Sequence, residues 1–297
     1  MTTTRAYVLV AGYLLVIYAA VAMLHCVDAP TPPPAPTAPN DDGVVFNHTT
    51  PDFIRSSATM TGATDGEEDS HLIEIAAAAD VTPALLAPFH SAAEWWTNVI
   101  RETNFKPARI SAHQSAQCLP DVDAMDMEIP GLRILVQVHP IDGEGNTLGY
   151  SRPCFLHPHG AAVTVLGSME FDSADIELMI RRGIAHDVVR HEMGHVLGIG
   201  TLWSRAGVLD QDNHTYTGEW GMSAYQELGG SGPVPVENST GQPGSDDGHW
   251  RETVFGSELM TYRIHGSPRP MSILTILSLR DLGYNVDRTR AESYQLP

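Results

Sequence analysis

Apolar residues recur at helical intervals in three parts of the chain. Residues 88–102 and 184–197 each carry apolar side chains three and four positions apart, which is the period of one helix face. Residues 272–282 repeat the pattern between a serine, which suits a helix N-terminus, and a glycine, which suits the left-handed position after a helix. The pattern therefore predicts three helices, the first with a proline in its first turn.

Two further segments carry the signature of strands. Apolar and polar side chains alternate in residues 132–138, which predicts a half-buried strand. Residues 163–171 are mostly β-branched or apolar and predict a second strand. Helix, strands and helix, followed by a long loop-rich stretch, predict an α+β fold.

The first seventy residues differ in composition from the rest. Ala6–Leu24 carries no charge and is nearly long enough to cross a hydrocarbon core of about 30 Å. A small-x-small site at residues 20–22 suits cleavage, so residues 1–27 are predicted to be either a cleaved signal peptide or an uncleaved anchor. The only early cation precedes the segment, which favours a cytoplasmic N-terminus for an anchor. Residues 28–70, proline-rich and then acidic, are predicted to be a linker, and residues 71–297 the folded domain.

Both interpretations of the N-terminus export the folded domain, and this has a consequence for the cysteines. The chain has three cysteines and no C-x-x-C motif. Cys26 lies beside the apolar segment, which leaves Cys118 and Cys154 as a pair in the domain. Because disulfides persist in oxidising compartments, we expect an extracytoplasmic protein, membrane-anchored or secreted, with a Cys118–Cys154 disulfide.

The charge balance excludes one class of partner. Lys plus Arg is 17 and Asp plus Glu is 36, so the formal net charge is −19 at pH 7. Nucleic-acid binding depends on cations that neutralise phosphates, and a chain this acidic is not expected to bind nucleic acid.

Residues 191–195 read His-Glu-Met-Gly-His inside the second predicted helix. Residues four apart share a helix face, so His191 and His195 can bind one metal ion. Glu192 lies one position round the helix and can take a proton from a water on that ion. The motif therefore predicts a zinc site with Glu192 as the catalytic base.

A hydrolytic zinc site needs a third protein ligand. Gly198, three residues after His195, suits a turn that brings the chain back towards the metal. The compact form of the motif would place the ligand at Thr201, which binds zinc poorly. The ligand must therefore come from further along the chain, and five candidates remain open: His214, His249, His265, Glu227 and Glu258.

Longer stretches around the motif resemble the leishmanolysin-type metallopeptidases, a metzincin family whose third histidine follows a long insertion. The similarity is carried by HEMGHVLGIGTLW (191–203), AYQELGG (224–230), VPVEN (234–238), HWRETVFGSELMT (249–261) and LSLRDLGYNV (277–286). Weaker similarity extends back through residues 163–176 to the helix near Trp95.

The resemblance implies a specific site and architecture. It implies His191, His195 and His249 as zinc ligands, Glu192 as general base and acid, and Met260 as an apolar floor under the metal. It also implies an upper subdomain of sheet and helices that includes the HExxH helix, and a loop-rich lower subdomain ending in a C-terminal helix.

We therefore expect a zinc metalloendopeptidase that hydrolyses peptide bonds in proteins, with an extended substrate added to the strand at 163–171. The expected partners are protein or peptide substrates, and a membrane if residues 1–27 are not cleaved. The alternative, from another class, is a surface adhesion or binding protein that keeps zinc on the same scaffold without turnover. Glu192 argues against this alternative, because a binding-only site does not need a carboxylate beside the metal.

Overall fold

The computed structural model describes residues 53–56, 73–78, 81–101, 107–119, 126–145, 147–158, 162–241, 245–263 and 267–297. The helices there are α1 (Pro83–Val99), α2 (Ala112–Cys118), α3 (Ser173–Arg182), α4 (Ala185–Leu197), α5 (Trp203–Ala206), α6 (Glu219–Glu227), α7 (Glu252–Phe255) and α8 (Ile273–Leu282), with a 3₁₀ turn at Arg288–Arg290. The strands are β1 (Phe53–Ser56), β2 (Ile73–Ala78), β3 (Ala108–Ile110), β4 (Met127–Ile129), β5 (Leu132–His139), β6 (Gly149–Leu156), β7 (Thr164–Asp172), β8 (Leu209–Asp210), β9 (Thr215–Tyr216) and β10 (Val234–Pro235). The predicted α+β class is confirmed.

A five-stranded sheet in the order β1-β2-β5-β7-β6 forms the framework. β2, β5 and β7 run parallel to one another, and β1 and β6 pair antiparallel at the two edges. One face buries α1, α3 and α4 in the larger hydrophobic cluster, and the other face packs against α2 and the antiparallel pair β3-β4. Helix α4, which carries the HExxH motif, is therefore a core element.

Three predicted elements are confirmed with small shifts of their ends. The predicted helix at 184–197 is α4, and it ends where Gly198 takes a left-handed conformation with φ +111°. The predicted strand at 163–171 is β7. The predicted helix at 272–282 is α8, whose N-cap Ser272 accepts a hydrogen bond from the Thr275 amide.

The first predicted helix begins earlier than the apolar spacing indicates. α1 starts at Pro83 after the N-cap Thr82, whose hydroxyl accepts a hydrogen bond from the Leu85 amide. Pro88, which we expected in the first turn, lies inside the helix. The Thr-Pro pair explains the difference, because it supplies both a side-chain cap and a first residue that has no N–H to leave unpaired.

The expectation that a substrate adds to residues 163–171 is wrong. β7 lies between β5 and β6, so both of its edges are already paired. The edge position belongs to β6, which the sequence did not predict because Pro153 interrupts a stretch without clear alternation. Proline fits an edge strand, since an edge residue need not donate a hydrogen bond to a neighbour.

The predicted disulfide is confirmed. Cys118, the last residue of α2, is bonded to Cys154 of β6. Beside it, Arg152 donates from Nη2 to the carbonyl oxygen of Cys118 at 2.7 Å. The edge strand is thus fixed to α2 by a covalent bond and a hydrogen bond.

Residues 53–56 of the N-terminal region are among the residues that the structure describes. β1 lies inside the segment 28–70 that we expected to be a linker, and it pairs with β2. Ala6–Leu24 lies outside the described residues. No helix in the described ranges has the length and apolarity needed to cross a membrane.

After Gly198 the chain forms the loop-rich region that supplies the third histidine. A small sheet, β10-β9-β8, and the helices α6 and α8 surround a buried aromatic group. Trp203 stacks on Trp250 with ring centroids 4.5 Å apart, and Tyr216 meets both rings edge-on. Trp250 directly follows His249, so this packing fixes the segment that carries His249.

Asp172 joins the turn after β5 to the start of α3. Its Oδ2 accepts hydrogen bonds from the amides of Ile141, Asp142 and Gly143 at 2.8–3.0 Å, and its Oδ1 caps α3 through the Ala174 amide at 2.7 Å. Burial alone would raise the pKa of Asp172, but these four N–H groups outweigh it and lower the pKa.

We predict that Asp172→Asn lowers the free energy of unfolding by about 1–3 kcal/mol at pH 7, because an amide NH₂ replaces one acceptor of these bonds. The stabilisation is complete above the unfolded-state pKa of about 3.9 and is lost as the pH falls through the lower folded-state pKa. Urea unfolding at several pH values measures the difference. The exposed Asp212→Asn is the charge-matched control, and an equal loss in both variants would contradict the prediction.

Candidate metal centre

Three histidines meet at the C-terminal half of α4. The Nε2 atoms of His191 and His195 are 3.0 Å apart, and both lie within 3.2 Å of Nε2 of His249. All three side chains are fully buried. Within the described part of the chain, these residues form a cluster that can hold a metal ion.

Each imidazole is oriented by a backbone carbonyl. Nδ1 of His191 contacts the Leu259 carbonyl oxygen at 2.8 Å, Nδ1 of His195 contacts that of Ile199 at 2.9 Å, and Nδ1 of His249 contacts that of Ser245 at 3.0 Å. A carbonyl oxygen can only accept, so each Nδ1 must carry the proton and donate it. The lone pair of each neutral ring is then on Nε2.

The site electrostatics favour the neutral rings. Burial lowers the pKa of His191 well below its ordinary value, and the neighbouring His195 and His249 lower it further. Burial also lowers the pKa of His195. With Nδ1 protonated and the rings neutral, Nε2 lone pairs face one another across about 3 Å with no proton to share.

The nitrogen triangle fits a metal ion. Ligand nitrogens at about 2.0–2.1 Å from a tetrahedral zinc lie about 3.3–3.4 Å from one another. The observed Nε2 separations of 3.0–3.2 Å are close to that value. Three imidazoles suit zinc and other divalent transition metals, and three protein ligands leave one tetrahedral position for another group.

A tight glycine contact brings His249 to the helix. Gly198 and Gly200 both have positive φ, so the chain turns sharply after α4. A Cβ on Gly200 would collide with the carbonyl oxygen and Cα of Gly248, the residue before His249. The two backbones can therefore approach only because residue 200 has no side chain.

A turn at residues 258–261 contacts both His191 and the segment that carries His249. The Leu259 carbonyl holds His191, and the Met260 carbonyl accepts a hydrogen bond from the Trp250 amide at 3.0 Å. The Met260 side chain is fully buried and lies against α4, because a Cβ on Gly194 would be 2.8 Å from its sulfur. Met260 thus packs against the part of α4 that carries His191 and His195.

Glu258, one of the candidate ligands, is instead a support for this turn. Its Oε2 accepts a hydrogen bond from the Met260 amide at 2.6 Å, and its Oε1 accepts from the amide and hydroxyl of Ser272 and from the Thr275 hydroxyl. Burial raises the pKa of Glu258, and these hydrogen bonds oppose the shift. The carboxylate joins the turn to the first turn of α8.

Glu192 lies beside the triangle on the same helix. It is 1% exposed, and its Oε2 accepts a hydrogen bond from the Ser151 hydroxyl at 2.6 Å. It does not belong to the three-histidine cluster, although it is adjacent to His191. A carboxylate next to the metal position but outside its ligand set is suited to handle protons.

The other candidate ligands lie elsewhere. His214 contacts Asp247 at 2.8 Å near the surface, and Glu227 pairs with Arg288 at 2.6 Å. Thr201 donates its hydroxyl hydrogen bond to the His195 carbonyl at 2.6 Å. His265 lies outside the described residues.

The contacts of two residues of the site, Ser151 and Glu258, could not be predicted from the sequence. Ser151 reaches Glu192 from a strand that was not predicted, and Glu258 was considered only as a ligand. Ser151 contacts Glu192, and Glu258 contacts Ser272 and Thr275, in segments that are distant in the sequence. The position of Glu258 two residues before Met260 was the one available clue.

Comparisons with known proteins add no family assignment. No protein-family model matches the chain, and no curated protein is significantly similar to it. The leishmanolysin-type resemblance therefore depends on its short sequence segments alone.

We predict that His249→Ala weakens zinc binding by more than about 100-fold, because even second-shell changes cost about 10–100-fold. His214→Ala is the matched control and is expected to retain the metal, since His214 pairs with Asp247 outside the cluster. Elemental analysis after dialysis measures both. Full metal occupancy in His249→Ala would exclude it as a ligand.

Gly200→Ala tests how the third histidine is held. Gly200 and Gly207 both have positive φ, so alanine strains the backbone at either position, by about 1–2 kcal/mol. Only at Gly200 does the added Cβ meet backbone, because nothing lies within 4 Å of a Cβ at Gly207. We expect Gly200→Ala to lose metal affinity and Gly207→Ala to keep it, measured by competition with a chromogenic chelator. Equal affinities would show that the contact with Gly248 does not position His249.

Proposed function

We propose that this protein is a zinc metalloendopeptidase of the leishmanolysin type. The observation that carries the proposal is the triangle of three histidine Nε2 atoms, 3.0–3.2 Å apart, with the Glu192 carboxylate adjacent on the same helix. A ligand set of three neutral imidazoles with a nearby carboxylate is typical of hydrolytic zinc sites.

Zinc would be held by His191, His195 and His249. When bound, it supplies Lewis acidity, which makes a water more acidic and polarises a carbonyl group. The carbonyl-bound Nδ1 atoms keep each Nε2 free of a proton, so the protein need not rearrange to receive the ion.

Glu192 handles the proton in the proposed reaction. Its carboxylate accepts a proton from the attacking water and later delivers that proton to the nitrogen of the leaving amine. General acid–base catalysis of this kind contributes about 10²–10⁴-fold. The burial of Glu192 supports this role, because a buried carboxylate is shielded from bulk water that would otherwise exchange the proton.

The substrate is proposed to be an extended segment of polypeptide. Within the described residues, β6 is a terminal strand of the main sheet, and no strand pairs with its outer edge. An extended peptide can add there through main-chain hydrogen bonds. Because Ser151 of β6 contacts Glu192, a peptide on this edge would lie beside the proposed base.

The arrangement of the chain also supports the leishmanolysin-type proposal. The sheet with α4 corresponds to the expected upper subdomain, and the loop-rich region after Gly198 corresponds to the lower one. The packing of Met260 against Gly194, between His191 and His195 in the sequence, is compatible with the role that the resemblance implies. The lower subdomain does not end with α8 as the resemblance implies, because the chain continues past α8 and Glu292 pairs with Arg190 of α4 at 2.8 Å.

An extracytoplasmic location is part of the proposal. The Cys118–Cys154 disulfide supports an oxidising compartment. The apolar segment Ala6–Leu24 would deliver the domain there, as a membrane anchor or as a cleaved signal.

We predict that Glu192→Gln keeps zinc but lowers kcat for a protein substrate by at least about 10²-fold, because the amide cannot accept the proton. Glu177→Gln, on the exposed face of α3, removes the same charge and should leave kcat unchanged. The measurement is cleavage of an unfolded protein substrate by the zinc-loaded protein, with a chelator as the zero point.

The same experiment distinguishes the proposed peptidase from the alternative, a zinc-containing binding protein without turnover. A zinc-containing binding protein would show no chelator-sensitive cleavage in any variant, including the wild type. Cleavage by Glu192→Gln at the wild-type rate would refute the assignment of the base.

A further inference from the structure

The edge strand of the sheet reaches the candidate site through one side chain. Ser151 of β6 is 1% exposed, and its hydroxyl donates to Oε2 of Glu192 at 2.6 Å. The two residues are 41 positions apart in the sequence. The contact therefore depends on how β6 packs against α4.

The register of the sheet explains why Ser151 faces α4. Ser151 lies opposite Met169, and Gly149 lies opposite Phe171, in the antiparallel pair of β6 and β7. Met169 and Phe171 are fully buried in the hydrophobic cluster that contains α4. Paired residues share a face and neighbours alternate, so Ser151 points to the α4 side.

The helix lies close to the sheet at this point because of a glycine. A Cβ on Gly167 would collide with the Val196 side chain and lie 2.9 Å from the carbonyl oxygen of Arg152. Val196 is four residues after Glu192, on the same face of α4. Because Gly167 has no side chain, this face of the helix can pack close enough to the sheet for Glu192 to contact Ser151.

We infer that Ser151 is a positioning residue that holds the Glu192 carboxylate in one orientation, and this inference rests on the proposed function. A hydrogen bond to Oε2 restricts rotation of the carboxylate, so Oε1 keeps a fixed direction. Charge-assisted bonds of this length are among the stronger ones in proteins. Since β6 is also the proposed substrate edge, the base and the peptide are aligned by the same strand.

The hydroxyl of Ser151 is a polar group on an otherwise apolar face of the sheet. It lies on a buried face whose other paired residues are apolar or glycine. A buried carboxylate, in contrast, is destabilised unless donors reach it. The serine therefore serves Glu192 and not the packing of the sheet.

The kinetic test compares Ser151→Ala with Ser151→Thr and Ser168→Ala in the zinc-loaded, full-length protein. Ser168 is the matched control, a buried serine on β7 whose contacts are Arg152 and Cys154 on the opposite face. We expect Ser151→Ala to lower kcat by about 10–100-fold, with KM within about 2-fold and full zinc content. Ser151→Thr keeps the hydroxyl and should recover most of kcat, and Ser168→Ala should match the wild type.

A second test needs no activity. In the metal-free protein, Ser151→Ala should lower the melting temperature by about 2–4 °C, because the buried carboxylate loses a donor. In a Glu192→Ala background the same substitution should cause no loss, since no carboxylate remains to be held. This cycle measures the coupling between the two side chains directly.

The outcomes separate the two proposals. Unchanged kcat in Ser151→Ala, equal losses in Ser151→Ala and Ser168→Ala, or equal melting shifts in both backgrounds would overturn the role of Ser151. A wild type without turnover would overturn the proposed function instead, and the melting cycle alone would then decide whether Ser151 holds Glu192.

Discussion

Three hydrogen bonds from histidine Nδ1 to backbone carbonyl oxygens determine the chemistry of this structure. They fix the tautomer of each ring, so that three Nε2 lone pairs converge at 3.0–3.2 Å. An arrangement of this kind is unfavourable without a cation, because the lone pairs repel one another and burial disfavours protonating His191 and His195. The fold must therefore hold these carbonyls firmly, and much of the loop-rich region can be understood from that requirement.

Two of these carbonyls, and His249 itself, belong to segments with their own support. Ile199 lies in the turn that Gly198 and Gly200 make possible. Leu259 lies in the turn that the buried carboxylate of Glu258 ties to α8. His249 is fixed through its neighbour Trp250, whose ring packs in the aromatic group and donates to Thr275 at 2.8 Å. These supports hold the three histidines of the candidate metal site in place.

The sequence predicted the parts of this site that depend on local periodicity. The positions of His191, Glu192 and His195 follow from the helical period, and Gly198 marked the end of α4. His249 was one of five candidates on chemical grounds, and the leishmanolysin-type resemblance selected it; the structure places it with the other two histidines. A contact across 54 residues has no local signature, so physical reasoning from the sequence could not have chosen it.

Other features could not be predicted because they depend on packing between distant segments. β6 has no clear alternation, and its place at the sheet edge follows from the pairing order. The contact of Ser151 with Glu192 depends on that placement and on the lack of a side chain at Gly167. Pro88 shows the opposite case, because the local rule for a proline in the first turn of a helix holds at Pro83, directly after the cap Thr82.

X-ray absorption at the zinc edge tests the central claim most directly, because it reports the atoms around the metal in solution. The account predicts one zinc per chain with a four-coordinate shell of nitrogen and oxygen at about 2.0–2.1 Å, and multiple scattering from three imidazole rings. A shell that contains sulfur, a shell with fewer than three imidazoles, or a protein that retains no zinc after dialysis would contradict it.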